Sequence, residues 1–214
     1  MDPQTPKIDW NSAYADNWAP WDIGRPQPVW VGLVDEITSP VLDSGCGTGE
    51  HALLLAERDM EVVGIDVSPR AIELAKEKAS RRGLEVNFGV GDVLSLEGLG
   101  RRFATVIDSA VFHVFDDTER ARYVESLASV LEPGGVLFLL AFSEHTPGHE
   151  GPRRVTQGEL RAAFADGWEV QRIEPALIEV REDYDLDPAR AWLARIEKSA
   201  PVESRELRFP GPSG

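Results

Sequence analysis

The sequence predicts an α/β fold built on an open, doubly wound, mostly parallel sheet. Three observations predict it. The pair Val41-Leu42 reads as the end of a short buried strand. It runs into Asp43-Ser44-Gly45-Cys46-Gly47-Thr48-Gly49, and the stretch from Glu50 to Arg58 then carries Ala52, Leu55 and Ala56 at helical spacing. A second apolar run, Glu61-Val62-Val63-Gly64-Ile65-Asp66, also ends in an acid, 23 residues after Asp43. Beyond it, strand-like and helix-like runs keep alternating, as in repeated βαβ units. Strand, Gly-rich turn and helix together form the arrangement that binds nucleotide-like ligands at a helix N-terminus. Glycine suits the turn because it reaches positive φ without strain and lets a ligand approach the backbone.

The two acids say more about the ligand. Asp66, at the end of the second strand, is placed to accept hydrogen bonds from both hydroxyls of a ribose. A dinucleotide-binding oxidoreductase would carry Gly-x-Gly-x-x-Gly, whereas this turn reads Gly-x-Gly-x-Gly with Glu50 next. Asp43 and Glu50 would repel an anionic pyrophosphate. A ligand with a cationic methionine end would find Asp43 and the turn carbonyls favourable, which describes S-adenosylmethionine, with S-adenosylhomocysteine as product.

The stretch Asp43 to Gly49, taken with Gly64-Ile65-Asp66-Val67-Ser68, resembles the class I S-adenosylmethionine-dependent methyltransferases. The resemblance implies a seven-stranded Rossmann-like sheet that closes with an antiparallel strand pair. It implies cofactor contacts from Asp43, Ser44, Gly45, Cys46 and Gly47 in the turn and from Asp66 and Val67 at the ribose. Gly91, Asp92 and Val93 would follow the third strand, with Asp92 accepting from the adenine amine. Asp108 and Ser109 would also bind the cofactor, and Ser109 and Ala110 match the positions that flank the adenosine and the transferring methyl.

Each element has its own local reason. Residues 1–38 precede the first strand and hold four of the six tryptophans, Trp10, Trp18, Trp21 and Trp30. Ile8 to Tyr14 reads as a helix start, Asn17 to Pro26 as a Pro/Gly-punctuated loop, and Val29 to Ile37 as a helix. Aromatics without helical or strand period need a partner: they either pin this leader to the core or form a lid over the ligand. The spacing Trp10–Tyr14–Trp21 and the run Pro20 to Pro28 resemble the thiopurine and halide/thiol branch and mycobacterial hydroxyquinolone-type methyltransferases. That resemblance puts Trp10 and Trp21 against the cofactor or the acceptor.

Residues 39–200 form the catalytic domain of this reading. Ser68 is a natural N-cap, Pro69 fits the first helical position, and Gly83 ends the helix. Leu84 to Phe88 is the third strand and Phe103 to Ser109 the fourth. Ligands of such sheets bind beyond the carboxyl ends of the strands, so Asp108, Ser109 and Ala110 to Phe115 should line the mouth. His113 is either a general base for a hydroxyl or thiol acceptor or a packed residue of the next helix. Asp116-Asp117 caps a helix through Tyr123, Leu127 and Val130, which Glu132-Pro133-Gly134-Gly135 ends before a fifth strand, Val136 to Phe142. The loop Ser143 to Arg153 is expected to face the acceptor, and its Gly151-Pro152 resembles a Gly-Pro element that touches substrate in the thiopurine/thiol branch; Phe142, His145 and Pro152 would then join Trp21, Phe112 and His113 as acceptor contacts. His145 and His149 stand four apart, but Pro147-Gly148 breaks any helix between them, so no metal is expected. Thr156 and Glu159 form a capping box for a helix to Ala165. Trp168 to Ile173 and Ala189 to Glu197 are the last strands, separated by an acidic surface stretch, and residues 201–214 read as a flexible tail.

The composition limits the partners. At 214 residues the chain forms one domain with a substantial core. Its net charge of −15 argues against nucleic acid. The lone Cys46 excludes an internal disulfide and suits a reducing cytoplasm, and no apolar run is long enough to span a membrane. The expected reaction is methyl transfer to O, N or S of a small, flat, heteroaromatic acceptor, by a monomer or homodimer. The alternatives are a halide or small-thiol methyltransferase, and an S-adenosylmethionine-binding protein that transfers nothing.

Overall fold

The computed structural model describes residues 8–148, 151–184 and 187–200. His149 and the tail at 201–214 therefore lie outside the described residues.

Helix α1 (Trp10–Ala15) is capped by Asp9, whose carboxylate accepts from the amides of Asn11 and Ser12 at 3.1 and 3.2 Å. Helix α2 (Pro28–Leu33) starts on Pro28 and tightens into a 3₁₀ turn at Val34–Glu36, earlier than the apolar run to Ile37 suggests. Then follow β1 (Val41–Ser44), α3 (Glu50–Ala56), β2 (Val62–Asp66), α4 (Pro69–Arg82) and β3 (Asn87–Val90). Next come β4 (Phe103–Ser109), α5 (Asp117–Val130), β5 (Leu131–Phe142), α6 (Gln157–Ala163), β6 (Trp168–Ile178) and β7 (Ala189–Lys198). The expected caps are present: Ser68 Oγ accepts from Ala71 N, Gly83 takes φ +67°, and both Asp116/Glu119 and Thr156/Glu159 close as capping boxes.

The strands form one seven-stranded sheet in the order β3-β2-β1-β4-β5-β7-β6. β1 to β5 are parallel, and β7 enters antiparallel between β5 and β6. α6 ends two residues earlier than the sequence reading and β7 one residue later, and three larger differences in the sheet arise because strand pairing outweighs local composition. Residues 132–135 do not simply stop α5: they bulge out of β5 between the pairs Phe103↔Leu131 and Thr105↔Val136. β6 continues to Ile178 because Leu177 and Ile178 pair with Arg190 and Ala189. β3 begins at Asn87, where pairing with Val63 starts.

Side chains along the central strands alternate between two core layers, as a sheet buried on both faces requires. Leu42, Val63, Val106 and Leu139 face the layer of Tyr123, Leu127, Leu160 and Phe164. Val41, Val62, Ile107 and Phe138 face that of Trp30, Leu53, Ile72 and Ala75. Strand order reverses around β1, which has β2 on one side and β4 on the other. The carboxyl ends of these three strands, Ser44, Asp66 and Ser109, therefore frame the crevice where such sheets bind ligands.

Candidate active site

Three carboxylates meet in that crevice. Asp43 and Asp108 are fully buried and Asp66 is 7% exposed. Asp66 caps two turns at once: Oδ2 accepts from Gly47 N and Oδ1 from Ser68 N, both at 2.8 Å. Asp108 accepts from Val111 N at 2.8 Å and from Phe112 N at 3.1 Å. Asp43 Oδ2 accepts from Ala52 N at 3.2 Å, but Oδ1 is buried without a hydrogen-bond partner among the described residues. Burial pushes the Asp43 carboxyl up to about 8, with Asp66 and Asp108 adding repulsion. Burial also pushes Asp108 up to about 7, against the hydrogen bonds it accepts. Ser44 Oγ lies 2.8 Å from the Tyr123 hydroxyl, so Ser44 braces the floor of the site.

The glycines hold the turn open to close approach. Gly45, Gly47 and Gly49 all have positive φ. A Cβ on Gly47 would lie 2.7 Å from Tyr14 Oη, and one on Gly45 2.3 Å from Val111 Cγ2. Tyr14 reaches this spot because the leader folds back over the turn. Trp21 lies at the centre of an aromatic cluster, edge-on to Trp10, Tyr14 and Trp18 at 5.5, 6.2 and 5.9 Å, and its Nε1 donates to Tyr14 Oη at 3.0 Å. Asp22 accepts from Thr48 Oγ1 at 3.0 Å, and Thr48 accepts from Lys78 Nζ at 2.6 Å. What remains between leader and turn is a cavity of ≈60 Å³ bordered by Tyr14, Trp21, Gly45, Gly47, His51, Ser109 and Ala110. A larger open groove, ≈570 Å³, lies at the opposite, amino ends of the strands beside Glu61, Leu84 and Arg101, and no strand-end acid lines it.

The other residues singled out from the sequence fall into two groups. Trp21, Cys46 and Ser109 border the cavity at the turn, and Trp10 packs on Trp21. Ser109 accepts from Trp30 Nε1 at 3.0 Å, and Cys46 is buried beneath Gly64 with its thiol pushed up by burial. Val67 and Val90 stand exposed beside Asp66. Asp92 caps the following 3₁₀ segment by accepting from Leu94 N at 2.9 Å, between half-buried Gly91 and buried Val93.

Phe112 and His113 do not reach the cavity. A 3₁₀ turn at Phe112–Val114 swings Phe112 into the core, 5.8 Å from Phe164 and under the Arg120 guanidinium. His113 is buried against Phe142 at 4.5 Å, and its Nδ1 accepts from Phe142 N at 2.9 Å. The lone pair a base needs is thus engaged, and burial lowers the imidazole to about 3, with Arg120 and Arg154 adding to the effect. His145 packs edge-on to Trp192 at 5.4 Å, and Pro152 is half-buried. Among the described residues no cluster of three or more His, Cys, Asp or Glu is placed to hold a metal ion.

Asp22, Gln27 and His51 also border the cavity, although no motif in the sequence marks them. Asp22 is marked only by its bond to Thr48 of the turn, and Gln27 and His51 by their bond to each other, both of which depend on how the leader folds back.

A turn of this kind, between buried strand-end acids on a β3-β2-β1-β4-β5-β7-β6 sheet, defines a class, and residues 41–135 match the family described as "Methyltransferase domain". The chain belongs to the class I S-adenosylmethionine-dependent methyltransferases and is an enzyme of that type. It is 39% identical over 169 residues to 2-heptyl-1-hydroxyquinolin-4(1H)-one methyltransferase of Mycobacteroides abscessus, covering 77% of this chain and 74% of that one. It is 31% identical to probable thiol methyltransferase 2 of Arabidopsis thaliana, over 62% of this chain and 61% of the relative. The solved structure described as "Conversion of a Disulfide Bond into a Thioacetal Group during Echinomycin Biosynthesis" aligns with TM-score 0.77 and 36% identity, covering 84% of this chain and 85% of that one. Magnesium protoporphyrin IX methyltransferase of Synechocystis PCC 6803, with bound SAH, shares the fold at TM-score 0.69 and 22% identity, over 90% and 98% of the two chains.

Proposed function

We propose that this enzyme methylates an O, N or S atom of a small, flat heteroaromatic molecule. The observation that carries the cofactor part is the unpartnered, buried Oδ1 of Asp43 beside a turn whose glycines leave no room for a Cβ. That oxygen suits the ammonium of S-adenosylmethionine. Asp66 retains lone pairs for the ribose hydroxyls, Asp92 serves the adenine amine between Gly91 and Val93, and the exposed Val67 gives the purine an apolar neighbour. When bound, this cofactor supplies an electrophilic methyl on a sulfonium.

The leader, described from residue 8 to residue 38, acts as a lid in this reading. Small-molecule sites typically enclose about 300–1,000 Å³, and the ≈60 Å³ between leader and turn holds about two waters. The leader must therefore lift for ligands to enter, and it then sets Trp10 and Trp21 around them. Its aromatic walls favour a flat acceptor, in keeping with the hydroxyquinolone methylated by the Mycobacteroides relative. Most of the rate comes from positioning and from excluding water. His113 holds the β5 backbone in place, so the acceptor reacts in an already ionised form. Phe142, His145 and Pro152 border the acceptor side through the loop after β5.

The test has two stages. S-adenosylhomocysteine should raise the melting temperature and NADH should not. Incubation with S-adenosylmethionine and a panel of heteroaromatic N-hydroxy compounds, phenols and thiols, read by mass spectrometry, should add 14 Da to at least one. Stabilisation without any methylated product would overturn the heteroaromatic acceptor class. A second reading, methylation of halide or a small thiol, draws on the small cavity and is recognised by a volatile product.

A further inference from the structure

We infer that His51 is a positioning residue for the acceptor: its Nδ1–H donates a hydrogen bond to an acceptor oxygen. The inference rests on the methyl-transfer reading above and deepens it by naming an oxygen-bearing acceptor.

Four observations support it. His51 lies at the start of α3, directly after the glycine turn, and borders the same cavity as Gly45, Gly47, Ser109 and Ala110. Its Nε2 accepts from the backbone N–H of Gln27 at 3.2 Å. A ring nitrogen that accepts from an amide carries the lone pair, so the neutral ring must hold its proton on Nδ1. Nδ1 has no hydrogen-bond partner among the described residues.

The tautomer is held from both sides. Gln27 is locked by a two-way pairing with the backbone of Glu179: Oε1 accepts from Glu179 N at 2.8 Å, and Nε2 donates to Glu179 O at 2.9 Å. The ring also lies 5.7 Å from Trp30, itself anchored to Ser109. Burial keeps the imidazole neutral at physiological pH. A neutral, oriented N–H donor cannot take a proton from the acceptor, but it can hold an oxygen next to the transferring methyl. Ala110, at φ +71° on the rim of the same cavity, is a strained non-glycine residue of the kind that clusters at ligand sites.

The experiment compares His51→Phe and His51→Asn with the unmodified enzyme. The oxygen acceptor is 2-heptyl-1-hydroxyquinolin-4(1H)-one and the sulfur acceptor is 4-nitrothiophenol. A lost hydrogen bond of this kind is worth roughly tenfold to a hundredfold. His51→Phe should raise KM for the oxygen acceptor by about that factor and change KM for the thiol less than about threefold. His51→Asn, which retains an N–H donor, should restore part of the loss. Stabilisation by S-adenosylhomocysteine should survive in both variants, showing that they fold and bind. Equal losses for both acceptors would overturn the inference. So would a pH–rate profile that loses a limb in His51→Phe, since that marks a base. If the unmodified enzyme transfers methyl to neither compound, the acceptor class itself fails and this inference falls with it.

Discussion

At the residue scale, Asp43 governs the site. A buried carboxyl with one unpartnered oxygen is costly when ionised, and the repulsion of Asp66 and Asp108 adds to that cost. The unfolded chain releases this proton near pH 4, whereas the fold holds it to about 8. A group whose folded pKa is raised stabilises the fold below the unfolded value and loses that contribution as pH rises toward the folded one. The ligand-free enzyme should therefore lose stability through Asp43 between about pH 4 and 8. Asp43→Asn should raise the melting temperature at pH 8, leave it nearly unchanged at pH 4, and greatly reduce the stabilisation by S-adenosylhomocysteine. An equal effect at both pH values would contradict this account. At Gly47, alanine would place Cβ 2.7 Å from Tyr14 Oη in a backbone at φ +53°. Gly47→Ala should weaken cofactor binding at least tenfold by calorimetry while displacing Tyr14.

At the element scale, the leader is attached at several points. Asn11 Oδ1 accepts from Ser68 Oγ and Arg70 N, tying α1 to the start of α4. Arg181 donates to Asn17 through Nη1 and to Pro20 O through its amide, and Arg25 pairs with Glu179 at 2.6 Å. These contacts join the leader to the end of β6 and the chain beyond it, so the leader and that connection should loosen together. Trp21→Ala removes the hub of the aromatic cluster. Hydrogen exchange should speed up at residues 9–27 and around residue 180, with the central strands unchanged; protection retained in the leader would argue against this coupling. Ser68→Ala should cost about 1 kcal/mol as a lost N-cap, measured by denaturant unfolding.

At the scale of the whole molecule, charge and sheet order matter most. A net charge of −15 disfavours the compact state by self-repulsion, and salt screens it. Part of the excess is absorbed by Glu50, buried at 6% exposure between Lys78 at 2.8 Å and Arg82 at 2.7 Å. Glu50→Ala removes a partner from two partly exposed cations, Lys78 and Arg82, which keep Thr48 and Glu57 as neighbours, and should cost about 1–2 kcal/mol by denaturant unfolding, less than breaking a fully buried pair. The unmodified enzyme should melt higher at 0.15 M salt than at low salt, and a falling melting temperature would refute the repulsion argument.

Much of this was present in the chain itself. The glycine turn, the acids Asp43, Asp66 and Asp108, and the caps at Ser68, Asp116 and Thr156 follow from short-range rules in which a residue's type and spacing determine its conformation. From those alone came the sheet class, the turn and the crevice. The tertiary structure decided the rest, because those features depend on partners far away in sequence. The turn at Phe112–Val114 took Phe112 and His113 into the core, although they follow a strand end. Pairing with β7 carried β6 to Ile178. The return of the leader brought Tyr14 onto Gly47 and Gln27 onto His51, contacts between segments separated by 33 and 24 positions. A local pattern cannot encode them, since they exist only once the sheet has placed its strand ends side by side.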